Sequence, residues 1–277
     1  MTSGPAFIGI GAQKAGTTWL WENLREHPQL WLPLIKELHW FDVRYPPASL
    51  AASPPYRHRT GFARYRPLWR HPSWFEARWI WHFYHSLRND ADYLALFDRQ
   101  DARLAGEITP AYATLDAGTV QHLHEVLPPD CRMVLMLREP IDRLWSGVRM
   151  HCRKRGMDWR SLPEDEVVAL AAMPAHALRS DYAYTLQNWA PFADRLGVFF
   201  YEDMQSSPHD FLSGVLRFLQ VDAAWRSPKA MKVSNAGQES NGVPAFFREH
   251  WQPRYQPVVQ AVERHVGRVP DAWKVSA

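Results

Sequence analysis

The sequence predicts an α/β fold of three layers, a mostly parallel central sheet flanked by helices. Three observations predict it. Short apolar runs alternate with helical patterns along most of the chain. The runs are hydrophobic throughout, as in strands covered on both faces. The composition, 46% hydrophobic and 22% charged over 277 residues, is that of a globular chain with a full core.

The elements follow in order. Phe7–Gly11 (FIGIG) reads as a buried strand, and Thr17–His27 as a helix closed by Pro28. Tyr45–Arg70 is the most irregular stretch, with five prolines (46, 47, 54, 55 and 67) among several arginines. Together with the aromatic segment after it, this forms an excursion over about residues 45–90 from a single domain spanning 1–277. Leu104–Ile108 is the second strand, followed by Thr109-Pro110 and a helical pattern over Ala117–Leu127. Cys131–Leu137 (CRMVLML) is the clearest buried strand, and the next helix opens at Pro140, where proline fits the first turn. Ala175–Phe192 reads as helix, Gly197–Tyr201 as a buried strand and Pro208–Leu219 as helix. The tail from Val243 to Val266 is largely helical, interrupted by Pro253 and Pro257. Ligands of such sheets bind beyond the carboxyl ends of the strands. Gly11–Thr18, Glu107–Pro110 and Arg138–Pro140 each follow a strand directly, so they share one rim.

Charge and cysteine content narrow the function. A net charge of +3 and a pI near 8.9 suit an anionic ligand but not, by themselves, nucleic acid. Cys131 and Cys152 have neither metal-ligand spacing nor the number for a disulfide framework, which points to a reducing compartment. The N-terminus lacks the pattern of a signal peptide, and no apolar run is long enough to span a membrane. The chain is therefore expected to be cytoplasmic.

The segment Gly11-Ala-Gln-Lys14-Ala-Gly16-Thr17-Thr18-Trp19 lies between a strand and a helix. Its glycines let backbone N–H groups approach an anion. The helix N-terminus adds unpaired donors, Lys14 a charge, and Thr17 and Thr18 hydroxyls. An ordinary glycine turn accounts for the glycines but not for Lys14 with two threonines. The lysine precedes Gly16, unlike G-x-x-x-x-G-K-[ST], and no apolar strand ends in a magnesium-binding aspartate. The expectation is a P-loop-like nucleotide-binding core that does not take Mg-ATP.

At these residues the chain resembles the sulfotransferases that use 3′-phosphoadenosine 5′-phosphosulfate (PAPS). Gln13-Lys-Ala-Gly-Thr-Thr-Trp19 resembles their 5′-phosphosulfate loop, and Val134-Leu-Met-Leu-Arg138 through Ser146 resembles their 3′-phosphate motif. The resemblance implies that Gln13, Lys14, Ala15, Gly16, Thr17, Thr18 and Trp19 hold the 5′ end of the donor. Arg138 and Ser146 would hold the 3′-phosphate. Lys36-Glu-Leu-His-Trp-Phe-Asp42 matches the bacterial and heparan-sulfate-type branch, whose glutamate is the catalytic base; the matching residue is Glu37. Weaker matches, Gly106–Tyr112 and Phe200–Met204, extend the likeness over about residues 6–204 and place Tyr201 at the donor. Many relatives carry a basic loop near the C-terminus that closes over the 3′-phosphate. Here Ser234–Gly242 has no lysine or arginine, leaving Lys229 or Lys232 as substitutes.

The resemblance implies sulfuryl transfer to a hydroxyl, or secondarily an amine, of a small-molecule, lipid or carbohydrate acceptor, with no metal. The competing readings are a magnesium-dependent phosphotransferase and an inactive nucleotide-binding relative. Burial beside Trp40 and Phe41 is expected to raise the pKa of Glu37 toward the working range, while Lys14 neutralises the leaving group. His39 is the alternative base, placed on the same face by strand alternation, although it reads first as a satisfied structural histidine. Asp42 and Glu107 read as structural partners. The segment Trp69–His85 is dense in rings and reads either as a helix packing one face on the core or as an acceptor-binding wall; Trp74, Arg78, Trp81 and His85 share one face, so its stripe is not purely apolar. Arginines 57, 59, 64, 66 and 70 read as a solvated face, an anionic-acceptor contact or, least of all, an RNA contact.

Overall fold

A computed structural model of the chain describes residues 4–47, 50, 74–98, 101–231 and 242–274. The chain runs β1 (Phe7–Gly11), α1 (Thr17–Leu24), β2 (Leu30–Trp31), α2 (Trp40–Arg44), α3 (Trp74–His85) and α4 (Asp90–Ala95). It continues through β3 (Leu104–Ile108), α5 (Ala117–Val126), β4 (Arg132–Leu137), α6 (Pro140–Arg155), α7 (Glu164–Ala172), α8 (Pro174–Ala177) and α9 (Tyr182–Asn188). The last elements are β5 (Leu196–Phe200), α10 (Tyr201–Ser206), α11 (Pro208–Phe218) and α12 (Ala245–Val266).

The strands form one sheet in the order β2-β3-β1-β4-β5. Every pairing among the described residues is parallel, so the sheet is wholly rather than mostly parallel. β1 lies in the middle with all five residues buried, as its apolar run requires. From β1 the chain winds outward to β2 and β3 on one side and later to β4 and β5 on the other. The crevice above the carboxyl ends of β1 and β4 is thus the switch point where α/β sheets bind ligands. Gly11 closes β1 where the 110–114 turn crosses; a Cβ there would lie 2.5 Å from that of Ala113.

Several elements differ from expectation. α1 stops at Leu24, before Pro28, because the turn that follows carries His27 inward to the Asp222 carbonyl oxygen, 3.1 Å from Nε2. β5 is half-buried rather than buried, since it is an edge strand with one neighbour. The stretch 175–192 breaks into pieces. Ser180 is drawn aside, donating to the Pro140 carbonyl and accepting from Arg143, and Asp181 then caps α9. α12 is the reverse case, running unbroken through Pro253 and Pro257. Both prolines face water, where the freed carbonyls are solvated. Phe247, Trp251, Tyr255, Val258 and Val262 bury the opposite stripe. Within the 45–90 excursion, residues 74–85 and 90–95 are helical, and 51–73 lies outside the described residues.

Candidate active site

The loop after β1 and the start of α6 form one half of the site. Gly16 has φ 87° and opens α1, whose N-terminus has no side-chain cap, so its first N–H donors point toward the rim. A Cβ at Gly16 would sit 3.0 Å from the Tyr201 ring, which glycine alone avoids. Thr17 and Ala15 are buried, and Gln13, Lys14 and Thr18 half-buried. Trp19 is committed inward, its indole donating to the Ala230 carbonyl at 3.1 Å. Lys14 adopts φ 76°. Burial, followed by the charges of Arg153, Arg138, Arg149 and Lys154, lowers its pKa to about 8.

Arg138 follows β4 with its guanidinium 4.8 Å from the centre of the Tyr201 ring and 3.9 Å from Asp142. Tyr182 donates to its carbonyl at 2.7 Å. Ser146 lies two turns along α6. This helix packs against α7, α8 and α12. Arg138, Asp142, Ser146, Arg149 and Arg153 recur at helical spacing along one stripe of it. Arg149, Arg153 and Lys154 were not anticipated from the sequence, although their spacing of eleven, fifteen and sixteen residues from Arg138 was available there.

The other half is the segment after β2. Residues 36–39 are not a strand: Glu37 and His39 have φ 65° and 53°. Three of the four described non-glycine residues with positive φ, Lys14, Glu37 and His39, thus cluster at this rim. Strand alternation is therefore not what brings Glu37 and His39 together, yet they meet, with His39 Nε2 3.4 Å from Glu37 Oε2. Lys36 donates to Glu37 Oε1 at 2.6 Å, and His39 Nδ1 pairs with Asp42 Oδ2 at 2.7 Å.

The charge state differs from expectation. Burial does push the Glu37 carboxyl up, but the His39 contact and Lys36 outweigh it and hold the pKa down to about 2. Burial pulls His39 down, yet the carboxylates of Asp42 and Glu37 raise it to about 9. Glu37 is therefore ionised and His39 a cation near neutrality, because each neutralises the other. Arg179, not foreseen in the sequence, faces the same carboxylates; burial lowers its pKa against the pull of Asp42 and Glu37.

A buried carboxylate supports this half. Glu107 accepts from Tyr93 at 2.6 Å, Thr109 at 2.6 Å and Tyr112 at 3.1 Å. Burial raises its pKa against those three hydroxyls. Tyr112 in turn accepts the Trp40 N–H at 3.0 Å, and the Glu37 N–H bonds the Ile108 carbonyl at 3.1 Å. Glu107 and Asp42 are structural partners, as expected.

On α3, Trp74 is 91% and Trp81 62% exposed, so this face of the segment is not packed on the core. The core-packing reading holds for the opposite face of α3, through Trp79, Ile80 and Phe83. Phe75 and Trp79 line a cavity of about 280 Å³ with Trp31, Leu32, Leu34 and Arg25. Lys229 pairs with Glu26 at 2.5 Å. Arginines 57 to 70, Lys232 and residues 234–241 lie outside the described residues. Among those described, no helix is long and apolar enough to cross a membrane, and no cluster of three His, Cys, Asp or Glu is arranged for a metal.

The chain is similar to a sulfotransferase from Alicyclobacillus acidocaldarius, with 22% identity, a TM-score of 0.66, and 98% of this chain and 99% of that one covered. It is similar to the sulfotransferase domain of the Synechococcus PCC 7002 olefin synthase, with 17% identity, a TM-score of 0.53, and 97% and 98% covered. The sulfotransferase domain from the curacin biosynthetic pathway follows, with 16% identity, a TM-score of 0.51, and 94% and 98% covered. At these identities the structures establish the fold. Curated protein sequences gave no match. A family model does: residues 5–226, which contain the loop after β1, Glu37, Arg138 and Ser146, match the sulfotransferase family, and the chain belongs to it.

Proposed function

We propose that the chain transfers the sulfuryl group of PAPS to a hydroxyl, or secondarily an amine, of a small-molecule, lipid or carbohydrate acceptor. Residues 13–19 hold the 5′-phosphosulfate, and Arg138 and Ser146 the 3′-phosphate. Tyr201 supports Arg138 through its ring. The observation that carries this reading is the convergence on one rim of a lysine-bearing phosphate loop, a strand-end arginine and an ionised glutamate. The family assignment removes the magnesium-dependent phosphotransferase reading.

In the transfer, the acceptor oxygen forms a bond to sulfur as the bond from sulfur to the phosphate-bridging oxygen breaks. Glu37 takes the acceptor proton, and adenosine 3′,5′-bisphosphate leaves with its new charge beside Lys14. His39, with a pKa of about 9, is already protonated near neutrality, which favours Glu37 as the base. A carboxylate held near pKa 2 is a weak base. It suffices because the acceptor proton becomes strongly acidic once the oxygen–sulfur bond is forming, so transfer runs downhill late in the step.

Two measurements test the reading. Adenosine 3′,5′-bisphosphate should bind tightly with or without magnesium; preference for Mg-ATP would refute it. Glu37→Gln should lower kcat by about 100-fold or more, within the usual range for general-base loss, and leave bisphosphate binding intact. Near-normal turnover would remove Glu37 from the mechanism.

A further inference from the structure

The cavity beside α3 opens at the end of the sheet away from the rim. β1 carries the chain up to the rim and α1 carries it back, so Arg25, just after α1, lies at the foot of the sheet. Arg103 lies there too, because it immediately precedes β3, which runs parallel to β1. Both arginines line the cavity of about 280 Å³. Its walls are rings: Trp31 meets Phe75 edge-on at 5.9 Å and Trp79 at 6.1 Å. Close-packed interiors leave few voids larger than a water. A cavity of about 150 Å³ is enough for benzene, so this one holds an apolar body of about ten carbons.

Charge selects the head group. The Arg25 guanidinium stacks 4.5 Å from the centre of the Trp21 ring, and its side chain donates no hydrogen bond among the described residues. Burial lowers its pKa against the pull of Glu26 and Glu76. A guanidinium held out of bulk water attracts an anion more strongly than a solvated one. Glu26 is already paired with Lys229. Arg103 bonds Asp101 through Nε and Nη2. Among the described residues that line the cavity, Glu76 is the one carboxylate against two guanidiniums, so the lining is net positive.

We propose that this cavity is a second ligand site that takes a small organic carboxylate, its aromatic or aliphatic body between Trp31, Phe75 and Trp79 and its head on Arg25 and Arg103. The planar fork of a guanidinium matches a carboxylate. This does not rest on the donor reading, because the site lies at the opposite end of the sheet from the loop after β1.

Calorimetry of the full chain tests this with three probes that share one tail: octanoate, octanamide and octylammonium. Octanoate should bind one to one and alter the tryptophan fluorescence through Trp31 and Trp79. Octanamide should bind about 10- to 100-fold more weakly, the usual worth of a charge-assisted hydrogen bond, and octylammonium more weakly still. Arg25→Gln should weaken octanoate by the same factor and leave octanamide unchanged. Leu32→Trp fills the cavity and should abolish binding of both; if that variant fails to fold, Arg25→Gln at its half-buried position decides. Saturating adenosine 3′,5′-bisphosphate should leave octanoate affinity unchanged. The proposal is overturned by the absence of saturable octanoate binding, by equal affinity for octanoate and octanamide, or by tighter binding of octylammonium. Octanoate binding that survives Leu32→Trp overturns it too, as does displacement of octanoate by the bisphosphate, which would put octanoate at the rim.

Discussion

Raising the pH should release the nucleotide product through Lys14. Burial and four neighbouring cations hold this lysine at about 8 instead of 10.5. A bound phosphate supplies the missing counter-charge and returns the lysine toward its ordinary value. The sign follows: affinity is full below the free-protein pKa and is lost as the pH climbs above it, because binding must then take up a proton. Near pH 7 about nine-tenths of the free protein carries the proton, and near pH 9 about one-tenth does. The affinity for adenosine 3′,5′-bisphosphate should therefore fall about tenfold, or about 1.4 kcal/mol, between those values. The phosphates themselves ionise near pH 6, below this window. Calorimetry at constant ionic strength would measure it, with Lys14→Met as the control that binds weakly and without pH dependence. Wild-type affinity that stays flat to about pH 9, or a Lys14→Met protein that keeps the slope, would refute the reasoning.

Three further outcomes are expected. His39 is raised from 6.5 to about 9, so its pairing stabilises the fold fully below 6.5 and fades as the pH rises through 9; Glu37 is lowered from 4.5 to about 2, so its share is present above 4.5 and lost as the pH falls through 2. The melting-temperature gap between wild type and His39→Gln should then be widest between 4.5 and 6.5 and close above about 9. Glu107→Ala strands three buried hydroxyls; unfolding should become easier by about 3 kcal/mol, seen as a melting temperature lower by about 6–12 °C. Gly16→Ala meets both the left-handed φ of 87° and a 3.0 Å approach to Tyr201, so it should cost about 1–2 kcal/mol in denaturant unfolding and weaken bisphosphate binding.

The parts of the fold that showed in the sequence were those set by local pattern. β1, β3 and β4 are continuous apolar runs flanked by turn residues, and a parallel interior demands that pattern. The loop after β1 stands out because its glycines, lysine and threonines are contiguous. What did not show was set by distant contacts. Two-residue β2 is too short for periodicity, and α2 follows from the tether of Trp40 to Tyr112. The break before α9 depends on Ser180 meeting Pro140 forty residues away. α7 was the avoidable omission, since Pro163 followed by Glu164, Asp165 and Glu166 is a helix-start signal. At the candidate site, Glu37 stands out by motif, but its charge state is not legible from the local sequence. The neighbouring rings suggested an apolar setting, whereas Lys36 and His39 set the electrostatics. Arg179 comes from another element, and nothing near it in the sequence announces the carboxylates it faces.

The contacts between residues 19–29 and residues 222–230 bear on where the folding unit ends. Trp19 reaches Ala230, Glu26 reaches Lys229, and His27 and Gln29 both bind the Asp222 backbone. Beyond that, Phe247 of α12 packs 4.9 Å from Trp145 of α6. The match to the family stops at residue 226. A chain truncated there would keep every matched position, yet it would leave the Trp19 indole without its carbonyl and open Trp145 to water. The cooperative unit that holds the loop after β1 in shape is thus longer than the stretch of sequence that matches the family.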